Sequence, residues 1–245
     1  MSAHGKQYRN ARAAFDREHE YTPVEAIRKL KEMQTAKFDE TVEVHFRLGL
    51  NVRHADEQLR GTLMLPHGTG KDATVAVFAE GEKAKEAQDA GADIVGSADL
   101  AKRVEEGFTD FDVAIATPDQ MGNVGKLGRI LGPRGLMPNP KTGTVTMDVV
   151  KAVRDAKAGK VEYRTDRGAN VHVSIGKKSF EERQLVENYA ALIDEIVRAK
   201  PAAAKGRYIR QITLTSTMGP GIHVDPAKTR GIVDELEEHA EAVTA

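Results

Sequence analysis

The strongest constraint on the fold of this chain is a change of hydrophobic pattern that occurs twice, near residues 68 and 159. Between these points, three short apolar runs at 74–79, 93–95 and 112–116 alternate with two helical patterns. Apolar runs that alternate with helices are typical of parallel strands that are buried on both faces. We therefore expect residues 68–159 to form a Rossmann-like parallel α/β domain.

The segments on either side follow another pattern, in which apolar and polar residues alternate as they do in half-buried strands. Five segments share this pattern: 41–50, 61–65, 161–165, 170–175 and 208–215. We expect the third and fourth of these to form a hairpin around Arg167 and Gly168. Two helices accompany the strands, one that begins at Thr22 and Pro23 with a capping hydroxyl and a first-turn Pro, and one at 180–199.

Because the two flanks share the same alternating pattern of apolar and polar residues, we expect residues 1–67 and 160–226 to form a single, discontinuous α+β domain. Residues 68–159 are then inserted into this domain. The chain then crosses between the domains twice, near Gly68, Gly70 and Gly159, which permits a hinge. The first 20 residues are expected to form a mobile or loosely docked arm. Residues 227–245 are expected to form an acidic tail, as a short helix around Ile232, Leu236 and Val243 or as a disordered segment.

Residues 122–144 form a stretch that holds six of the 22 glycines, three of the nine prolines, four basic residues and no acid. Gly frees the backbone and Pro fixes φ, so a stretch rich in both is typical of a structured loop. Its apolar anchors are expected to be Ile130, Leu131, Leu136 and Met137. Its basic residues are Lys126, Arg129, Arg134 and Lys141. An ordinary surface loop with solubilising charge is the alternative.

The composition favours a cytoplasmic protein with no membrane association. The chain has no Cys, its first ten residues lack the apolar core of a secretory signal, and no run approaches the roughly 18–20 apolar residues of a membrane span. A net charge of −1 argues against nucleic-acid binding. The flanks, however, hold 22 basic against 18 acidic residues, whereas residues 68–159 hold 12 against 14 and residues 227–245 hold 2 against 5.

No catalytic or metal-binding pattern is found, so we expect no cofactor, no metal and no enzymatic activity. The Gly70-Lys71 pair lacks both the Gly five residues before Gly70 and the Ser or Thr after Lys71 that a P-loop needs. The glycines at 122, 125 and 128 do not match G-x-G-x-x-G, no two His are spaced i, i+4, and no G-x-S-x-G occurs. A nucleotide-binding α/β enzyme remains the alternative, because predicted strands and helices alternate in the inserted segment as they do in dinucleotide-binding folds. Fold alone, however, does not confer that function.

Two short segments suggest an RNA-binding surface. Lys37 and Phe38 precede one predicted strand, and residues 215–220 follow another. If these strands are neighbours, their ends combine a cation, an aromatic ring, three hydroxyls and a Met, which together suit phosphate, base and 2′-OH contacts. The alternative is that Phe38 and Met218 are buried and that Thr217 caps a turn.

The segment GKLGRILGPRGLMPNP at 125–140 resembles the signature of the L1 family of large-subunit ribosomal proteins. The resemblance continues at 37–44 (KFDETVEV), 61–71 (GTLMLPHGTGK) and 215–220 (TSTMGP), and covers about residues 8–225 in the order and spacing of the family. It implies a protein of the 50S subunit that binds the 23S ribosomal RNA stalk and moves with it as deacylated tRNA leaves the exit site. It also implies a repressor that binds its own mRNA.

The resemblance also implies which residues contact RNA. The principal surface in this family is formed by the residues that match Lys37, Phe38, Thr41, Glu43, Ser216, Thr217, Met218 and Gly219. The segment that matches 165–167, with Asp166 and Arg167, is expected to lie beside it, and Lys126, Arg129, Arg134 and Lys141 are expected to make secondary contacts.

Three features depart from the family pattern. Residues 165–169 read Thr-Asp-Arg-Gly-Ala where members commonly have Asn-Asp-Lys-Thr-Gly, the arm carries fewer Lys, and the acidic tail extends beyond the usual end. A protein-interaction module that works through this tail is therefore a third functional class.

Overall fold

The computed structural model describes residues 5–33, 35–229 and 231–232 of the chain. The described residues form three sheets and a mixed α/β architecture. Their contacts divide them into two compact units, one formed by the residues up to Gly70 together with those from Val161 onward, and the other by Lys71–Lys160. We refer to these as the first and the second unit.

The described strands, in chain order, are β1 Thr41–Leu48, β2 Arg60–Met64, β3 Val75–Phe78, β4 Ile94–Gly96, β5 Val113–Ala116, β6 Lys160–Arg164, β7 Asn170–Lys177, β8 Ile209–Ser216 and β9 Ile222–Val224. The described α-helices are α1 Lys6–Ala13, α2 Pro23–Glu32, α3 Glu82–Asp89, α4 Ala98–Glu105, α5 Met121–Val124, α6 Gly128–Leu131, α7 Val149–Lys157 and α8 Glu182–Arg198.

The main sheet of the first unit has the order β7-β1-β8-β9, and its neighbouring strands are antiparallel. Val42, Val44 and Phe46 point from β1 into the core, where residues of α2 and α8 join the same cluster. The opposite face carries Glu43, His45 and Arg47, which are half-buried or exposed. The predicted alternation of β1 is therefore confirmed.

Helix α2 begins where the sequence predicts. The Thr22 hydroxyl accepts a hydrogen bond from the Glu25 N–H at 3.3 Å, and the Glu25 carboxylate accepts one from the Thr22 N–H at 3.1 Å. This reciprocal pair satisfies two backbone donors that the first turn of a helix otherwise leaves unpaired. Ile27 and Leu30 then lie in the core.

The predicted hairpin of residues 161–165 and 170–175 is right in its turn at Arg167 and Gly168 and wrong in its strand pairing. Strand β6 pairs with β2 in a separate two-stranded sheet, and β7 pairs with β1. A single bridge, between Thr165 and Val171, joins the two segments. The physical reason is burial, because Val171, Val173 and Ile175 alternate in phase with the buried face of β1 and enter the core with it.

The second unit contains a parallel sheet of order β4-β3-β5, as predicted. All four residues of β3 are buried. One face packs against α3 and α7, and the other against α4 and the 124–131 segment. Asp148 caps α7 by accepting a hydrogen bond from the Lys151 N–H at 3.1 Å, and Gly159 follows the helix with a positive φ of 94°.

The prediction of a loop for residues 122–144 is only half right. Its first half is helical, with α5, a 3-10 turn Gly125–Leu127 and α6 in succession. The reason is that Val124, Leu127 and Leu131 recur at helical spacing and are fully buried, which outweighs the low helix propensity of glycine. Of the four expected anchors, Leu131 is buried, and Ile130, Leu136 and Met137 are partly buried against the same cluster.

The first residues form more than a polar arm. Helix α1 buries Ala11, and the Asp16 N–H donates a hydrogen bond to the Tyr21 hydroxyl at 2.9 Å. Of the predicted tail helix, Ile232 is buried in the first unit, whereas Leu236 and Val243 lie outside the described residues. In the part of the chain that the structure describes, no helix is both long and apolar enough to span a bilayer.

Candidate nucleic-acid interface

Antiparallel pairing of β1 with β8 brings the two suspected segments to one end of the main sheet. Val42 lies opposite Ser216 in the register. Beyond this pair, the Thr217 N–H donates to the Thr41 carbonyl at 3.1 Å, and the Thr41 N–H donates to the Thr217 hydroxyl at 3.0 Å. The condition on which the predicted surface depended, that these two strands are neighbours, is therefore met. We call Lys37, Phe38, Thr41, Thr217 and Met218 the strand-end patch.

The two apolar side chains of the strand-end patch point to solvent. Phe38 is 57% exposed and Met218 is 56% exposed. The alternative in which both side chains belong to the core is therefore wrong. Large apolar side chains exposed at one place mark an interaction site, and an aromatic ring with adjacent cations and hydroxyls is what unstacked RNA bases require.

A buried carboxylate, Glu40, lies under the patch. Its Oε2 accepts hydrogen bonds from the Ser216 hydroxyl at 2.7 Å and from the Met218 N–H at 2.9 Å. Its Oε1 accepts from the Thr35 hydroxyl and lies 3.9 Å from the Lys178 ammonium. Glu40 thus ties the residues before β1 to those after β8.

The surroundings of Glu40 favour the charged form of its carboxyl group. Burial raises the pKa of this carboxyl, but the hydrogen bonds from Thr35, Met218 and Ser216 and the charge of Lys178 outweigh it, so that the pKa lies below its ordinary value. Sequence reasoning missed this residue. The sequence did hold a signal for it. Glu40 stands two positions before Val42 and four before Val44, so the strand alternation places this acid on the buried side of β1.

Ser216 and Gly219 lie at the strand-end patch, but their role there is structural. Ser216 is buried, and its hydroxyl points to Glu40. A Cβ at position 219 would overlap the Ser216 hydroxyl, so any larger residue there would push this hydroxyl away from Glu40. These residues therefore hold the shape of the patch, whereas Met218 and Thr217 form its surface.

The turn at 166–169 is not beside this patch, contrary to the expectation drawn from the family. Thr41 pairs with Lys177, whereas Arg47 pairs with Asn170, so the turn lies at the other end of β1. Six residues at roughly 3.3 Å each place it about 20 Å from the patch. The open face of the sheet, with Glu43, His45 and Arg47, connects the two ends.

Asp166 organises that turn. Its carboxylate accepts hydrogen bonds from the N–H groups of Gly168 at 2.8 Å and Asn170 at 2.7 Å and from the Asn170 amide at 3.0 Å. Burial raises the pKa of Asp166, but these bonds outweigh it and lower the pKa below the ordinary value. Arg167 is left exposed at the tip, and Ala169 takes a positive φ of 62°, a conformation that residues other than Gly rarely adopt.

A pair of histidines bridges β1 and β7 on the open face. The Nδ1 atoms of His45 and His172 are 2.9 Å apart, and their Nε2 atoms lie 3.7 Å from Glu43 and 3.5 Å from Asp166, respectively. Burial and the neighbouring His172 lower the pKa of His45. The two residues are 127 positions apart in the sequence, so only the strand register could reveal the pair.

The four basic residues expected to make secondary contacts all lie on the second unit and are exposed: Lys126, Arg129, Arg134 and Lys141. Arg134 donates a hydrogen bond to the Thr109 hydroxyl. The turn that carries Lys141 is held by Asn139, whose side chain accepts from the Lys141 N–H at 2.8 Å.

The structure offers no support for the nucleotide-binding alternative. The residues after Lys71 enter strand β3 rather than the helix that a P-loop requires, and Lys71 forms an ion pair with Asp112. Among the described residues, no group of three or more His, Cys, Asp or Glu side chains is arranged to hold a metal ion.

Comparison with known proteins identifies relatives along nearly the whole chain. The model of a family described as the ribosomal protein L1p/L10e family matches residues 30–220. The chain is 63% identical over 225 residues to the large ribosomal subunit protein uL1 of Thermobifida fusca, an alignment that covers 92% of this chain and 96% of the relative. It is 59% identical to the proteins of the same name from Salinispora tropica (237 residues, 97% and 98%) and Frankia casuarinae (230 residues, 94% and 97%).

Proposed function

The chain belongs to the ribosomal protein L1p/L10e family, a family of structural ribosomal proteins and not of enzymes, and on this premise we propose that it binds the 23S ribosomal RNA stalk of the large subunit through the strand-end patch. The observation that carries this proposal is the joint exposure of Phe38 and Met218 at one end of the main sheet. The Phe38 ring offers a stacking platform, Lys37 offers a charge for phosphate, and Thr41 and Thr217 offer hydroxyls.

Preorganisation supports the assignment. Binding loses less free energy to ordering when the contact residues are already fixed. Glu40 holds the Met218 backbone through a hydrogen bond of 2.9 Å, and Thr41 and Thr217 are joined by two further bonds. The Met218 side chain is therefore presented from a fixed backbone and not from a loose loop.

The charge distribution limits how much of the affinity can be electrostatic. The patch itself holds one cation, Lys37, with Lys177 bound to the Thr41 hydroxyl at 2.9 Å beside it. The number of neutralised phosphates sets the salt dependence of RNA binding. We therefore propose that shape and stacking contribute most of the specificity, with Arg167 at the far end of the open face as a further phosphate contact.

The experiment that tests the proposal compares two methionines of equal exposure. Met147 is also 56% exposed but lies on the second unit. Met218→Asp places a carboxylate at the proposed contact and should weaken binding to the 23S stalk fragment by at least tenfold. Met147→Asp adds the same charge elsewhere and should change it less than twofold. Equal effects of the two substitutions would contradict the proposal.

The same surface is proposed to act in translational repression. If the protein binds its own mRNA through a mimic of the ribosomal site, Met218→Asp should weaken mRNA binding and 23S stalk binding by the same factor. Unequal factors would mean that the two RNAs use different surfaces.

We also propose that the two units are separate domains, residues 1–67 with 160–226 and residues 68–159, that move about a hinge as deacylated tRNA leaves the exit site. The proposed crossings contain Gly68, Gly70 and Gly159, and all three have positive φ. Other residues rarely adopt this backbone conformation, so the glycines support the proposal of a hinge at these points. The exposed cations at 126, 129, 134 and 141 are proposed as secondary RNA contacts. Charge-reversed variants at these four positions should lower stalk affinity less than Met218→Asp does.

A further inference from the structure

We propose that α1 and the β8–β9 edge of the main sheet form a seat for one unpaired base of the bound RNA. This inference rests on the proposed RNA-binding function and adds a site outside the residues discussed so far. A cavity of about 110 Å³ lies between these elements. Its lining includes Tyr8, Arg12, Phe15, Arg17, Thr213 and His223.

The helix presents these residues because of their spacing. Tyr8, Arg12 and Phe15 are four and three positions apart, which places them on one side of α1 and its extension. Two contacts fix this side against the sheet. Phe15 packs edge-on against Tyr21, with ring centroids 6.4 Å apart, and the Tyr21 N–H donates to the His223 carbonyl at 3.0 Å.

The size and the chemistry of the cavity match a single base. Sites for drug-sized ligands enclose about 300–1,000 Å³, so this cavity admits one small ring system and not a larger ligand. Its two aromatic rings and two guanidinium planes are the groups on which bases stack. None of the described residues that line it is acidic.

The surroundings of the cavity indicate where the phosphate of such a nucleotide would lie. A wider groove of about 800 Å³ shares Arg12, Arg17 and His223 with the cavity and adds Arg210. Three acids, Asp16, Glu18 and Glu20, also line this groove. A phosphate is therefore best placed at the shared arginines, where the groove meets the acid-free cavity.

His223 supplies a hydrogen-bonding ring nitrogen for the edge of the base. Its Nδ1 lies 3.0 Å from the Gln211 amide nitrogen and 3.3 Å from the Thr213 hydroxyl. Nε2 is therefore the ring nitrogen that serves a base, as donor or acceptor according to the tautomer. The site continues the open face of the sheet, because Thr213 pairs with His45 on one side and with His223 on the other.

The chain has no Trp, so Tyr8→Trp places a single Trp in the seat, and its emission can be excited apart from that of the tyrosines. Binding of the 23S stalk fragment to this variant should quench its emission, because a stacked base quenches indole. Replacing the unpaired nucleotides of the fragment one at a time by abasic residues should remove the quench at one position only.

A matched pair on the same helix measures the contribution of the site. Arg12→Ala should weaken binding to the stalk fragment between about 5- and 150-fold, the range typical of losing one stacked base. Arg9→Ala removes an equal charge from an exposed residue of α1 that does not line the cavity, and should change binding less than twofold. On the abasic fragment identified above, which keeps its phosphate but lacks the base, the loss caused by Arg12→Ala should shrink to that of one phosphate contact.

The outcomes separate this inference from the function on which it rests. If wild type binds the stalk fragment and Met218→Asp weakens it, but Arg12→Ala matches Arg9→Ala and the Trp is not quenched, the seat is refuted and the strand-end patch stands. If wild type does not distinguish the stalk fragment from scrambled RNA, both are refuted.

Discussion

Glu40→Gln tests whether the buried carboxylate holds the strand-end patch. The substitution keeps the size of the side chain and removes its charge. The amide oxygen must stay at the Oε2 position to accept from the Met218 N–H, so the amide nitrogen replaces Oε1. There it faces the Lys178 ammonium and the Thr35 hydroxyl, which must turn from donor to acceptor.

The expected loss of stability follows from these contacts. Hydrogen bonds to a charged group contribute about 1.5–3 kcal/mol and neutral ones about 0.5–1.5, so each of the three bonds to Glu40 loses about 1 kcal/mol. Relief from burying a charge returns part of this sum. We expect Glu40→Gln to lower the free energy of unfolding of the first unit by about 2 kcal/mol at pH 7.

Tyrosine fluorescence provides a selective assay, because all five Tyr residues lie in the first unit. Urea unfolding followed by this signal should show the loss in Glu40→Gln. Glu43→Gln is the control, since Glu43 lies three positions further on, has a side chain that is 45% exposed and forms an ion pair with His45 at 3.7 Å. It should change stability by less than about 0.5 kcal/mol.

The direction of the pKa shift of Glu40 determines how the stability difference between wild type and Glu40→Gln depends on pH. Because the folded-state pKa of Glu40 is lowered, its contribution is present above the unfolded value of about 4.3 and is lost as the pH falls through the folded value. The difference between wild type and Glu40→Gln should therefore shrink below about pH 4.3. A variant as stable as wild type at pH 7, or an equal loss in Glu43→Gln, would refute the role of Glu40.

Three further predictions follow from other contacts. Gly219→Val should displace the Ser216 hydroxyl and destabilise the first unit by about 1–3 kcal/mol in urea, which makes it a structural variant and not a clean probe of RNA contact. Asp166→Ala removes three accepted hydrogen bonds from a partly exposed turn and should cost about 1–2 kcal/mol in the same assay; an unchanged midpoint would contradict this. The pKa of His45 is lowered, so its protonation costs folded-state stability as the pH falls below about 6.5. Protonation also adds positive charge to the open face, so RNA affinity should rise as the pH falls below this ordinary value, and His45→Gln should flatten the rise.

Hydrophobic pattern predicted most of the secondary structure because the elements are amphipathic in regular phase. The alternation of β1, the cap at Thr22 and the apolar runs of the parallel sheet all appear where the sequence places them. The pattern failed where pairing depends on distant residues. Strand β6 pairs with β2, about 100 positions earlier, and nothing local distinguishes this arrangement from a hairpin with β7.

The candidate site shows the same division. Met218 could be singled out because a Met directly before Gly and Pro is unlikely to lie in a helix core, and Lys37 and Phe38 because they directly precede an amphipathic strand. Glu40 and the His45–His172 pair could not, because their meaning depends on partners brought together by the register of β1 with β7 and β8. The family resemblance supplied residues but not their geometry, and it placed the turn at 166–169 at the wrong end of the sheet.

The most direct test of the central claim is a salt series that compares binding of the wild-type chain to the 23S stalk fragment and to a scrambled RNA of equal length. Phosphate contacts weaken with salt on both RNAs, whereas shape and stacking contacts act on the stalk fragment alone. We expect a shallow slope and a gap in affinity that persists at every salt concentration and closes in Met218→Asp. Equal, weak binding to both RNAs that disappears with salt would contradict the account.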